Sequence, residues 1–294
     1  MQTIALPAAA RAAILAWFDA GTRDVPLRGV RDPYAILVSE IMAQQTQIGR
    51  ASATWASFIA RFPTVDALAR AAPASVIREW RGLGYNRRAL NLHRAARLIL
   101  TEHGGRVPSE PGVLERLPGI GPYTARAVAA FAFGRAVGPV DTNVRRVLGR
   151  IVGGRRQPVA RDLQALADDA VPHARPADWT HALMDLGATI CRPARPRCGE
   201  CPARRWCRFA ATEAVAPVVV SAARRPSFTT TSRWLRGRLL DRLRDAPDEA
   251  WVQLAGPFGA HDAEAIDRAL RAMAGDGLVE RDPSEPLRAR LPVA

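Results

Sequence analysis

The stretch Leu117-Pro118-Gly119-Ile120-Gly121-Pro122 limits most severely what this chain can become. Two glycines and a proline between an apolar Leu117 and a helical run starting near Tyr123 describe a tight hairpin between two helices. The second helix begins with backbone amides that have no partner inside the helix, and a helix start carries partial positive charge. Such a start binds phosphate without a side chain and without reading sequence. Gly119 and Gly121 are therefore candidate backbone contacts to a nucleic acid.

Charge points to the same class of partner. The 294 residues carry a formal net charge of +14, and all 42 basic residues are arginine. A coding bias explains arginine in place of lysine, but not the surplus over aspartate and glutamate. That surplus suits an anionic partner, because arginine forks match phosphate. The absence of lysine also removes any side-chain amine for Schiff-base chemistry, so a lysine-dependent lyase step is not expected. Only the α-amino group could substitute.

The apolar fraction, 48%, is that of an ordinary soluble protein. The longest apolar runs, 12–18 and 127–133, are too short for a bilayer. The N-terminus reads as an amphipathic helix and not as a signal peptide. We expect a monomer in the cytoplasm, associated with the nucleoid through DNA and not with a membrane.

Periodicity predicts an all-α chain up to about residue 215. Helices are expected over 8–20, then over 34–50 with Ile36, Leu37, Ile41 and Ile48 in the core and Asp32 as its cap, and over 51–61, 64–71, 74–81 and 86–103. A short helix at 113–116 leads into the hairpin, and helices near 142–152, 159–170 and 176–189 follow. Pro, Ser and Thr then gather over 211–231, a linker or extended crossing segment. The tail, 232–294, shows two helices and then two short strands around a polar turn, a pattern similar to a small winged-helix module. Domain boundaries are thus expected at 1–210, 211–231 and 232–294.

All four cysteines fall in one window, Cys191-x6-Cys198-x2-Cys201-x5-Cys207. Thiols at loop spacing in a chain without a signal sequence argue for a metal and against disulfides. Spacing alone places a four-thiolate zinc site slightly ahead of an iron-sulfur cluster. Arg192, Arg195 and Arg197 lie on the Pro-stiffened loop that such a centre would hold at 191–207, a preorganised basic surface.

Two carboxylates stand out. Asp141 precedes a helix start, so it can be a simple N-cap, a catalytic carboxylate, or both, since a helix N-terminus keeps a carboxylate ionised. Glu40 sits among Leu37, Val38, Ile41 and Met42, surroundings that raise a carboxyl pKa. An acid for a leaving group and a fixed carboxylate for a sugar cation are what cleavage of a glycosidic bond needs.

SEIMAQQTQ, GLGYNRRALNLH, LPGIGPYTARA, VDTNVRRV, MDLGAT and the four-cysteine motif occur in one order over about residues 8–208. This resembles the MutY-type adenine DNA glycosylases of the endonuclease III superfamily. The resemblance implies a helix-hairpin-helix glycosylase with a six-helix barrel, and it reverses the metal order to a [4Fe-4S] cluster on Cys191, Cys198, Cys201 and Cys207, with zinc as the alternative. It implies that Glu40 protonates adenine, that Asp141 stabilises or captures the sugar, and that Tyr123 and Asn143 position the groups around it. Arg28 would line the base pocket, Gln45 and Tyr85 would wedge into the duplex, and Thr46 and Leu83 would touch the base opposite.

The expected activity is monofunctional removal of adenine mispaired with guanine or 8-oxoguanine in double-stranded DNA. A thymine or uracil mismatch glycosylase on the same scaffold is the rival, and a non-catalytic lesion-binding protein ranks below both. Departures from the resembled pattern are Leu27 in place of tryptophan, Ala43 in place of leucine and Asn86 in place of an aromatic residue. The tail is too short and too helical for the Nudix-like domain that ends many relatives.

Overall fold

The computed structural model describes residues 5–21, 23–212 and 227–293, so most of the expected linker lies outside the described residues. Among the described residues, thirteen α-helices, three short 3-10 helices and one small sheet form the regular structure. They divide into two compact units, one of Met1–Glu40, Pro108–Arg116 and Ile120–Val219, the other of Ile41–Val107, Leu117–Gly119 and Val220–Ala294.

The first unit contains α1 (Ala8–Ala20), most of α2 (Pro33–Ala43), and, from later in the chain, α7 (Pro111–Leu114), α8 (Pro122–Phe133), α9 (Thr142–Gly153), α10 (Ala160–Asp169) and α11 (Pro176–Thr189). Apolar residues three and four apart give α9 one buried face, Val144, Val147, Leu148 and Ile151. That face shares a core with Ile14 and Phe18 of α1, Leu163 of α10 and Trp179 of α11. Asp32 caps α2 as expected, its Oδ2 accepting from the Ala35 amide at 2.8 Å.

The second unit holds α3 (Ile48–Arg61), α4 (Val65–Arg70), α5 (Pro73–Glu79) and α6 (Arg87–Glu102), followed late in the chain by α12 (Ser232–Asp245) and α13 (Ala263–Gly275). Strands β1 (Val252–Gln253), β2 (Glu280–Arg281) and β3 (Arg288–Arg290) form an antiparallel sheet in the order β1-β3-β2. The two strands expected in the tail are present, and β1 is an addition: two residues are too few for an alternation to register. Leu235, Leu239 and Leu243 of α12 and Ile266, Leu270 and Met273 of α13 share one core with Ile77 of α5 and Leu90 of α6. Each such side chain, once fully buried, stabilises by about 1.5–3 kcal/mol.

One helix differs from the sequence expectation. The run expected as a single helix over 34–50 stops at Ala43 and restarts at Ile48. Ile48, expected in the core, is 38% exposed as a result. The break is made by Gln45, whose φ of +54° is left-handed, a conformation that ends a right-handed helix.

Candidate active site

Asp141 is the N-cap of α9: one carboxylate oxygen accepts from the Val144 amide at 2.6 Å. The other accepts from Asn143 Nδ2 at 3.0 Å. Both oxygens are thus aimed by groups within three residues, and the carboxylate is oriented before anything binds.

Glu40, on α2, is only partly accessible to solvent, and the Tyr123 hydroxyl from the first turn of α8 donates to its Oε2 in a long hydrogen bond of 3.3 Å. Burial is the main reason the Glu40 carboxyl is pushed up to about 7; Tyr123 opposes the shift and the negative charge of Asp141 adds to it. Burial, then Glu40 and Asp141, hold the Tyr123 hydroxyl well above the usual phenol range. The three residues therefore present a carboxyl near its midpoint at neutral pH, a neutral phenol and a fixed negative charge, all within the first unit. This set can donate a proton on one side of a bond and stabilise a cation on the other.

Arg28, expected to line a base pocket, makes a bidentate pair with Asp185, Nη1 to Oδ2 at 2.8 Å and Nη2 to Oδ1 at 2.7 Å. Asp185 is 1% exposed, and Arg23 approaches the same carboxylate at 3.4 Å. Sequence reading missed Asp185; its cue is an acid inside the apolar run Met184-Asp185-Leu186. His181, one turn before it, stacks on Phe131 at 4.5 Å, and burial first, then the charge of Arg28, push it down to about 4.

A second missed residue, Arg146 of α9, donates Nη2 to Asn143 Oδ1 at 2.7 Å and to Gly187 O at 2.6 Å, and Nε to Cys191 O at 2.6 Å. One turn on, Arg150 Nη1 lies 3.4 Å from Cys191 Sγ. Gly187 is needed for this approach, since a Cβ there would stand 2.5 Å from Asn143 Cβ.

Cys191, Cys198, Cys201 and Cys207 are unpaired and line one cavity backed by Val147 and Leu186. Burial pushes the Cys201 thiol up to about 11, and the other three sulfurs add to that shift. No three His, Cys, Asp or Glu side chains among the described residues are grouped closely enough for a single metal ion. Four thiols lining one common cavity are a donor set of the kind that thiophilic metal centres use.

The remaining predicted residues belong to the second unit or to the hairpin. Gly119 adopts φ +79°, with Asn91 Cβ only 2.7 Å from where its own Cβ would stand, and Gly121 caps α8 with Pro122 at its first position. Arg88, a third residue missed by sequence reading, binds two loops at once. Its Nη1 donates to the carbonyls of Ile41, Met42 and Gln44 at 2.8, 3.0 and 2.7 Å. Its Nη2 donates to Thr46 Oγ1 and to the carbonyls of Leu83 and Gly84 at 3.0, 3.2 and 3.1 Å. Gln45 is exposed, and Tyr85 is 42% exposed at a left-handed φ of +45°. Leu83, in contrast, is 4% exposed, so its side chain is not at the surface; the apolar core beneath the turn takes it.

No helix among the described residues is long and apolar enough to cross a membrane. Residues 38–173 match the HhH-GPD superfamily of base excision DNA repair proteins. Over 272 residues, covering 91% of this chain and 92% of the relative, the sequence is 43% identical to the adenine DNA glycosylase of Mycolicibacterium smegmatis. It is 40% identical over 220 residues to that of Homo sapiens, across 70% of this chain and 40% of the human protein. A solved structure of a thermostable thymine-DNA glycosylase is similar with a TM-score of 0.65 and 32% identity, covering 68% of this chain and 94% of that one. The chain belongs to the HhH-GPD superfamily of base excision DNA repair proteins, and within it to the adenine DNA glycosylases. It is thus a DNA-binding enzyme of base excision repair.

Proposed function

We propose that this protein removes adenine mispaired with guanine or 8-oxoguanine by hydrolysing the N-glycosidic bond, without a lyase step. The observation that carries the reading is the Glu40 carboxyl, pushed up to about 7 beside Tyr123 and under the charge of Asp141. A carboxyl at that value is still protonated in a large fraction of molecules at neutral pH and can give its proton to a ring nitrogen of adenine. The C–N bond then breaks with its electron pair leaving on the base, and positive charge develops on the deoxyribose. Asp141, oriented by Val144 and Asn143, stabilises that charge, or bonds to C1′ until water attacks there and displaces the carboxylate. Tyr123 orients Glu40 and stays protonated itself. Arg28, held by Asp185, borders the base pocket.

Adenine must leave the stack before this can happen, and the exposed Gln45 and Tyr85 suit the role of wedges into the vacated space. Thr46 and the main chain at Leu83 would face the base opposite. The amides after Gly119 and Gly121 suit a phosphate. Cys191, Cys198, Cys201 and Cys207 would hold a [4Fe-4S] cluster, and their shared ligation would fix the shape of the loop 191–207 that they bracket. Arg146 and Arg150 brace Cys191 from α9.

The test is base release from duplexes carrying A opposite 8-oxoguanine, A opposite G, T opposite G and U opposite G, scored as strand scission with and without hot alkali. Alkali-dependent scission at adenine, lost in Asp141→Asn, is the expected result. Scission only at T or U would overturn the adenine reading in favour of mismatched pyrimidines.

A further inference from the structure

The C-terminal module differs electrically from the rest of the chain. Residues 232–294 contain ten arginines and eleven carboxylates, whereas residues 1–231 carry 32 arginines against 17 carboxylates. Eight of the ten arginines form ion pairs inside the module, among them Arg236–Asp276, Arg268–Glu264, Arg281–Asp267 and Arg290–Glu280. A module so neutralised does not suit gripping duplex phosphates, which takes uncompensated positive charge.

One arginine is directed elsewhere. Arg233, the second residue of α12, lies with its guanidinium 4.2 Å from the centre of the Tyr85 ring and donates Nη1 to Tyr85 Oη at 3.0 Å. Its position is set from both sides: Thr231 caps α12 by accepting from the Trp234 amide at 3.2 Å, and Leu235 is buried in the shared core. Three turns on, Arg244 of the same helix donates to Asn86 Oδ1 at 2.8 Å and to Ile77 O at 2.9 Å. Helix α12 thus holds Tyr85 and Asn86, adjacent residues in a turn whose left-handed backbone is unfavourable for a tyrosine.

We propose that Arg233 is a positioning residue for Tyr85, and that the C-terminal module takes part in probing DNA through this contact and not by binding phosphates. The inference rests on the reading of Tyr85 as a wedge. Stacking and hydrogen bonding by one guanidinium restrict the ring to one orientation, so less freedom is lost when it enters the duplex.

The experiment is a double-mutant cycle on the full protein with Arg233→Ala, Arg233→Lys, Tyr85→Ala and the double alanine variant. The readouts are the fluorescence rise of 2-aminopurine placed beside the target adenine and the single-turnover rate of adenine release. Affinity for a matched duplex across a salt series accompanies them. Arg233→Ala is expected to lower the fluorescence rise and the rate about fivefold, Arg233→Lys to recover part of that loss, and Arg233→Ala to cost nothing further once Tyr85 is alanine. Matched-duplex affinity and its salt slope should not change. A salt slope lower by about one would make Arg233 a phosphate contact and overturn the proposal. So would equal losses with and without Tyr85, or no loss in Arg233→Ala while Tyr85→Ala is impaired. If Tyr85→Ala alone behaves as wild type, the wedge reading itself fails and the proposal with it, while the Glu40 and Asp141 assignment stands on the base-release assay.

Discussion

Replacing Glu40 by glutamine should remove both the activity and a specific pH dependence. In the folded protein the Glu40 carboxyl is pushed from 4.5 to about 7, chiefly by burial. At subsaturating enzyme and single turnover, adenine release by wild type should be level below pH 6 and fall toward tenfold per unit above about 7, as the acid is lost. Because the folded value is raised, the folded state holds its proton more tightly than the unfolded chain does. Stability attributable to Glu40 is therefore fully present below pH 4.5 and is lost as pH rises through about 7, an amount of about 3 kcal/mol. Glu40→Gln should abolish this part of the pH dependence of Tm and flatten the rate profile at a low level. The neighbours supply signs that are hard to obtain by accident. Tyr123 lowers the Glu40 value and Asp141 raises it. Tyr123→Phe should thus shift the alkaline limb to higher pH, and Asp141→Asn should shift the stability transition to lower pH. A rate that climbs with pH between 6 and 8, or a Tyr123→Phe limb displaced downward, would refute the assignment of Glu40 as the acid.

Gly187→Ala places a methyl 2.5 Å from Asn143 Cβ, so α9 and α11 must separate; a loss of about 1–3 kcal/mol in chemical denaturation and a slower base release are expected. Arg28→Ala leaves the buried Asp185 with only the half-exposed Arg23, and should cost about 2 kcal/mol, less than a fully buried pair because Arg23 remains. Wild-type protein should be brown with about four irons and four sulfides per chain, and Cys198→Ser should lose the colour; a colourless protein with one zinc would refute the cluster.

Much of the site was legible because it is local. Asp141 caps the helix that begins at its next residue, using its own third neighbour Val144, so a short motif carries the geometry. The same holds for the hairpin at Gly119 and Gly121 and for the cysteine window, where spacing along the chain bounds spacing in the fold. Glu40 among apolar neighbours correctly announced a raised pKa, because burial of one helix face is set by the periodicity around it.

What sequence reading missed depends on partners far along the chain. The break at Gln44–Gln47 contains neither Gly nor Pro, and it is pinned by Arg88, which lies 44 residues after Gln44. Arg28 finds Asp185 at a separation of 157 residues, and Arg233 reaches Tyr85 across 148. Leu83 looked available from its place in a turn, yet it is buried. The amino-acid sequence alone determined most of the helices, the hairpin, the capping aspartate and the thiolate set, since these follow from backbone stereochemistry and contacts within a few residues. Only the tertiary structure decided which guanidinium holds which loop and how far the Glu40 carboxyl is raised, because desolvation and charge pairing depend on groups that folding brings together from separate parts of the chain.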